Sequence, residues 1–312
     1  MSIATPLVSV VMPTRNRERF VREAVASVLA QTLGDFEVIV VDDASTDGTP
    51  SALVELARQD ERVRVLALPV QGGCNAARNH ALDHARGRYV AMLDDDDLAL
   101  PERLAKSVAR LQTAPVADVV FSSCRFIDAA GAPLDWGEAP FPVADTYFDG
   151  SRMIELLYCD WAWLPTCTLM VRADRVRTLR YPALRRSDGD SMFHCMLAAE
   201  GASFARIGEP LALVRRDDSY EFMSRDRARL LAARRESLRD LRSRLAERGV
   251  RNLDRLHARA WSNHLVLEAE HMRGLRGLWR AFAALAYWPG NPRARAYLGL
   301  GVGRICPPSS GQ

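Results

Sequence analysis

An α/β architecture with a mainly parallel central sheet, followed by a separate helical region, is what this 312-residue sequence predicts, on three observations. Short β-rich apolar runs alternate four times with segments of helical periodicity. Each apolar run ends in a polar loop that carries reactive side chains. The charge balance reverses near residue 220. Repeated strand–helix alternation requires a sheet covered on both faces. With 48% hydrophobic and 26% charged residues the chain can bury a large core, which excludes the disordered and repeat classes.

The elements follow in order. Residues 7–12, Leu-Val-Ser-Val-Val-Met, predict a first strand, and Phe20, Ala24, Val25, Val28 and Leu29 then recur at helical spacing. A second strand at 36–41, a helix at 49–58, a strand at 63–68, a helix at 74–85, a strand at 89–93 and a helix at 101–111 complete the alternation. Beyond residue 116 the pattern loosens. A strand is predicted at 119–121, and the Pro-, Gly- and Asp-rich stretch 128–149 reads as a long functional loop. Another strand follows at 167–171, then an apolar helix over 192–199 ended by Gly201. After residue 224 the chain reads as helical throughout, with Leu230, Leu231, Leu238, Leu241 and Leu245 forming one apolar stripe. The predicted boundaries are therefore 1–220, divided near 112, and 221–312.

From Arg225 onward 18 arginines face 7 acidic residues, a balance of +11, whereas the first 224 residues carry 24 basic against 32 acidic side chains, or −8. The basic arginines include Arg227, Arg234, Arg235, Arg239, Arg242 and Arg244. Such a region suits an anionic membrane surface or a diphosphate-bearing lipid, with Trp279, Phe282, Tyr287 and Trp288 adding apolar contact; a solvated face or a homo-oligomer contact is the competing reading. Six cysteines without any C-x-x-C spacing argue against zinc and for reduced thiols, as in a cytoplasmic protein. Residues 1–7 do not read as a leader peptide. The most apolar late stretch, 281–288, is far shorter than the ~20 residues of a membrane span.

In a sheet of this class the segments after each strand converge on one crevice. They contain Pro13-Thr14-Arg15-Asn16-Arg17, then Asp42 to Thr49, then Gln71-Gly72-Gly73-Cys74 to Asn79, and finally Asp94-Asp95-Asp96-Asp97. Clustered carboxylates repel one another and call for a cation, and hard oxygen ligands favour Mg²⁺ or Mn²⁺. The competing reading is a helix N-cap ahead of Pro101, although a cap needs one aspartate and not four. Each other loop also has a structural reading: Pro13 and Asn16 as a turn, Ser45 and Asp47 as caps, Gly72-Gly73 as a hinge, Arg78 as an ion-pair partner. Four inert loops at one sheet edge is the weaker explanation.

The segments Val8 to Arg17, Gln31-Thr32, Phe36 to Thr49, Ala77-Arg78-Asn79 and Leu93 to Asp97, in this order, resemble the nucleotide-binding half of family 2 glycosyltransferases of the GT-A fold. The resemblance is strong over 6–112, scattered to about 215, and absent beyond. It implies a nucleotide-binding half over 6–112, an acceptor half over 113–220, and inverting, metal-dependent transfer of a sugar from a UDP- or dTDP-sugar to a glycan or lipid-linked acceptor in surface polysaccharide synthesis. No nucleic-acid partner is implied. By resemblance Pro13, Thr14 and Arg15 border base and ribose, Asp43 accepts the base imide N–H, and Arg78 helps hold the nucleotide. Asp96 is the metal-binding member of a D-x-D motif, with Asp95 or Asp94 on the sugar and ribose side. Asp190 matches the catalytic base, with Asp188 as its rival, because Gly189 stands where many relatives have Glu. That departure favours the alternative of an inactive sugar-nucleotide-binding or scaffold protein. A nucleotidyltransferase would want glycine in the loop after the first strand, and a dinucleotide oxidoreductase a G-x-G-x-x-G; neither is present.

Overall fold

In the computed structural model, residues 5–113, 116–138, 141, 146–160, 162–183, 189–216, 227–272 and 274–300 are described. The chain divides into two compact units, Met1–Met153 with Ala162–Tyr220, and Ile154–Trp161 with Glu221–Gln312.

The first unit opens with β1 (Val8–Thr14), α1 (Glu18–Leu29), β2 (Phe36–Asp42), α2 (Thr49–Gln59), β3 (Val63–Ala67), α3 (Cys74–His84) and β4 (Tyr89–Met92). It continues through β5 (Leu98–Ala99), α4 (Arg103–Gln112), β6 (Val119–Asp128), β7 (Pro133–Glu138), β8 (Tyr147–Phe148) and α5 (Gly150–Ile154), which runs into a π-helical turn, Glu155–Cys159. A 3-10 turn (Thr166–Thr168), β9 (Met170–Arg172), α6 (Ala173–Val176), α7 (Gly189–Ala199) and β10 (Phe204–Arg216) follow. The sheet runs β3-β2-β1-β4-β9-β6-β10-β5, with β7 beside β6 and β8 beside β10. Its first four strands are parallel, and β9 joins antiparallel to both β4 and β6.

Every residue of β1 and β2 is buried, which explains why both read as nearly continuous apolar runs. One face presents Val8, Val10, Met12, Val38 and Val40 to Val21, Ala24, Val25 and Val28 of α1 and Leu53 and Leu56 of α2. Ala24, Val25 and Val28 are as the sequence showed, and Val21, rather than Phe20, completes the helical spacing of i, i+3, i+4 and i+7.

Several expectations shift. The first strand runs two residues past Met12, so Pro13 and Thr14 are strand residues, in register with Val41 and Asp42. The helix expected from Pro101 starts at Arg103, and the strand expected at 119–121 extends to Asp128. The strand expected at 167–171 is a 3-10 turn followed by the short β9, because Pro165 sets up a tight turn whose carbonyl accepts from Thr168 N and Oγ1. Within the expected loop 128–149, β7 and β8 form strand pairs. The long β10 has no counterpart in the sequence reading. Gly208-Glu209-Pro210 splits its apolar pattern, and the ladder shifts register there.

The opposite face of the first strands buries a charge. Ser9 and Glu37 are register partners, and Glu37, 3% exposed, accepts from Ser9 Oγ (2.6 Å), Arg64 Nη1 (2.6 Å) and Arg86 Nη2 (2.7 Å). Burial by itself would raise its pKa, but the hydrogen bonds from Arg86, Ser9 and Arg64 outweigh it and hold the carboxyl below its usual value. A lowered folded pKa contributes stability that is present above the unfolded value of about 4.3 and lost as pH falls through the folded one. Glu37→Gln should therefore cost roughly 1–3 kcal/mol at pH 7 in urea denaturation. The difference from wild type should shrink in acid; a constant difference down to acid pH would refute the linkage.

The second unit contains α8 (Arg227–Glu247), α9 (Leu253–Met272), α10 (Gly274–Tyr287) and α11 (Pro292–Tyr297). The expected leucine stripe is buried at Leu231, Leu238, Leu241 and Leu245; the side chain of Leu230 lies outside the described residues. The turn Glu155–Cys159 packs here: Tyr158 Oη lies 2.6 Å from His257 Nδ1 and donates to the Leu238 carbonyl. Among the described residues no helix is long and apolar enough to cross a membrane.

Candidate functional site

The carboxyl ends of β1, β2 and β4 and the loop after β3 converge on a cleft of about 360 Å³ lined by Pro13, Thr14, Arg15, Arg17, Asp43, Gln71, Gly73, Cys74, Arg78 and Asp94 to Asp96. The predicted loops therefore meet, and eight of the nine predicted site residues line one cavity. The exception is Asp190, which joins through Arg78. A larger cleft of about 600 Å³ in the helical unit, lined by Arg239, Arg242, Asp254 and His257 among others, has no such convergence of strand ends.

Local hydrogen bonds explain how each loop holds its shape. Asn16, at φ 52°, accepts from Thr46 N (2.8 Å) and donates its own N–H to Ser45 Oγ (2.9 Å), tying the first loop to the second. Asn tolerates that left-handed conformation; Ala44, at φ 56°, does so only under strain of about 1–2 kcal/mol, next to Asp43. The N-cap of α2 is Gly48 and not Asp47, which from one residue earlier accepts from Thr49 N, while Ser45 donates to Asp42 Oδ1. Asp43 is 3% exposed and grips the third loop, accepting from Gly72 N (2.6 Å) and Gly73 N (2.9 Å). Gly73 has φ 89°, a conformation that costs glycine little and other residues much.

The four aspartates do different jobs. Asp94 accepts from Arg78 Nη2 (2.5 Å), and its carbonyl accepts from Asp97 N. Asp97 is buried, accepts from Arg215 N (2.9 Å), and turns away from the cleft; burial, with Asp96 and Asp94 nearby, pushes its carboxyl well up. Asp95 is pushed up to about 7 by burial and by Asp96, against the pull of Thr14 and Arg17. Asp96 is likewise raised by burial and Asp94, with Arg17 Nη2 3.7 Å away. Asp95 and Asp96 are thus carboxylates short of positive charge. The helix-cap reading of the run fails, because β5 intervenes before α4 and none of the four caps it.

Arg78 is the hub. It is 5% exposed and donates to Asp94 through Nη2 and to Asp190 Oδ1 through Nη1, both at 2.5 Å. Burial would lower its pKa, but Asp190 and Asp94 hold it above the usual value. It also lies 5.1 Å over the ring of Tyr181, which stacks on Phe193 of α7. Asp190, in the first turn of α7 and 30% exposed, is therefore brought to the acidic loop through Arg78, 112 positions away from it in sequence. Asp188 and Trp161 lie outside the described residues, as does the side chain of Trp136; Trp163 is exposed and stacks on Phe126.

Two contributors were not foreseen. A Cβ on Gly189 would lie 2.2 Å from Asn75 Nδ2, so the amide of Asn75 fills the space a side chain at 189 would need, while donating to the Pro182 carbonyl. The break in the acidic pair is thus matched by packing, with Asp190 still on Arg78. Arg215, buried, donates to the carbonyls of Asp96, Asp128 and Ala129 and to Glu23 (2.6 Å), clamping the aspartate loop from below. It sits near the end of the unforeseen β10, so its sequence signal was hidden with that strand.

The family model for glycosyl transferase family 2 matches residues 9–152. TuaG of Bacillus subtilis, provisionally named a teichuronic acid biosynthesis glycosyltransferase, is 40% identical over 130 residues, which are 42% of this chain and 51% of TuaG. The chain spans about half the length of the curated relatives it matches first. Among solved structures, S. aureus TarS 1-349 in complex with UDP-GlcNAc gives a TM-score of 0.65 at 22% identity, covering 93% of this chain and 83% of that one. The mannosyltransferase PcManGT from Pyrobaculum calidifontis, in complex with GDP-Man and Mn²⁺, gives 0.54 at 20% identity over 96% and 84%. At these identities the likeness establishes the fold, that of GT-A glycosyltransferases.

Proposed function

We propose that this chain, whose residues 9–152 match the model for glycosyl transferase family 2, transfers a sugar from a nucleoside-diphosphate sugar to a hydroxyl of a glycan or lipid-linked acceptor in bacterial-type polysaccharide synthesis. The observation that carries the reading is the carboxylate surplus at Asp95 and Asp96, in one cleft with Thr14, Asp43 and Arg78. UDP- or dTDP-sugars are the proposed donors, with Pro13, Thr14 and Arg15 beside base and ribose and Asp43 toward the base.

The residues present fit a divalent ion. Raised, uncompensated carboxyls are what a cation would relieve. Among the described residues no three acidic, His or Cys side chains are grouped to hold one alone. One or two carboxylates plus substrate phosphates is the usual arrangement for Mg²⁺. Asp96, with Asp95 or Asp94, would hold it, and it would supply Lewis-acid neutralisation of the departing diphosphate. Arg78 Nη1 holds Asp190 Oδ1, which orients the carboxylate to take the acceptor's proton as general base. Attack assisted from that side inverts the anomeric carbon.

A thermal-shift titration with UDP, dTDP and GDP, with and without Mn²⁺, tests the reading, since a ligand of the native state raises its apparent stability. One nucleotide should stabilise the protein only when Mn²⁺ is present. Because the Asp95 carboxyl must lose its proton to serve a cation, that stabilisation should fall as pH drops below about 7. Metal-independent stabilisation, or none by any nucleotide, would count against it.

A further inference from the structure

The helical unit leaves one large apolar surface uncovered among the described residues. On α10, Leu275, Leu278, Trp279 and Phe282 stand at i, i+3, i+4 and i+7, hence on one face, and are 85%, 39%, 71% and 54% exposed. The opposite face is made of small residues, Gly277, Ala281 and Ala284, and is buried; Ala284 packs with Leu265 and Val266 of α9 and Ala294 of α11. Large aromatic and aliphatic side chains point outward and alanines inward, the reverse of a surface helix that only covers a core. The helix is apolar on both faces, and among the described residues only one face has a partner.

Charge decides what the outer face takes. The region from Arg225 onward carries +11, and Arg276, exposed beside Leu275, borders the stripe. A second copy docked through α10 would bring two such fields together, whereas an anionic surface would neutralise them. The arginines of α8 contribute less than the sequence suggests: Arg234 is buried, Arg235 pairs with Glu268, Arg242 with Asp254 and Arg244 with Asp240. Trp288, grouped with the apolar contacts by sequence, is only partly exposed, beneath the guanidinium of Arg259. The apolar stripe therefore supplies most of the contact and net charge the attraction. A helix of 14 residues with no spanning capacity lies in the interface rather than across it.

We propose that α10 docks this protein onto an anionic lipid bilayer, with Leu275, Leu278, Trp279 and Phe282 seated at the headgroup–acyl boundary and arginines on the lipid phosphates. This inference stands apart from the glycosyl-transfer reading. The test is flotation of the full chain with vesicles of phosphatidylcholine alone and of phosphatidylcholine with phosphatidylglycerol, at low and high salt. Binding should need the anionic lipid and weaken as salt rises, since exposed charges are screened beyond about 10 Å at 0.1 M. The double variant Trp279→Glu, Phe282→Glu should bind at least about tenfold more weakly. Its melting temperature should stay unchanged, because both side chains are exposed. Equal flotation of wild type and variant, or no flotation of wild type, would overturn the proposal. So would a vesicle-free dimer, seen by sedimentation velocity, that the variant dissociates and that does not float.

Discussion

Asp96→Ala should lose nearly all sugar transfer, at least about 10²-fold, together with its response to added divalent ion, since neutralising a leaving diphosphate is worth several kcal/mol. The fold should survive. Burial and Asp94 raise the pKa of Asp96, so removing it relieves repulsion on Asp95 and Asp97 and gives up only a 3.7 Å contact with Arg17. The melting temperature without ligand should therefore equal or exceed wild type, which separates loss of chemistry from loss of structure. Full activity of wild type in excess chelator would remove the metal from this site altogether.

Asp190→Asn should leave donor affinity close to wild type while lowering turnover by at least about 10²-fold, the effect of losing a general base. Asparagine is nearly isosteric, and Arg78 retains its bond to Asp94, so the nucleotide side of the cleft keeps its anchor. Single-turnover kinetics on bound donor would read the chemical step directly. Should Asp188→Asn be the crippled variant and Asp190→Asn active, the base is Asp188, and the Arg78–Asp190 pair is structural.

Much of the site was legible because local sequence and local chemistry coincide in it. The loops after β1, β2 and β4 are each short, each follows a fully buried strand, and each has polar residues that a turn alone does not need. What stayed hidden depends on distant partners. Nothing in the neighbourhood of Asn75 tells that its amide fills the space beside Gly189. Nothing around Asp97 distinguishes it from Asp96 until Arg215 N is seen to donate to it. Glu37 looks like an ordinary polar residue in a strand until Arg64 and Arg86 close on it.

Periodicity and composition, which are properties of short windows, were enough to read the parallel half of the sheet, the covering helices, the convergence of the reactive loops and the charge reversal. Three-dimensional contacts were needed to learn which aspartates face the cleft, that Arg78 joins Asp94 to Asp190, that β10 runs beside β6, and that the leucines and aromatics of α10 point outward. Those are outcomes of packing between segments far apart in the chain. There burial sets the cost of each charge, and the nearest opposite charge or hydrogen-bond donor decides whether that cost is met.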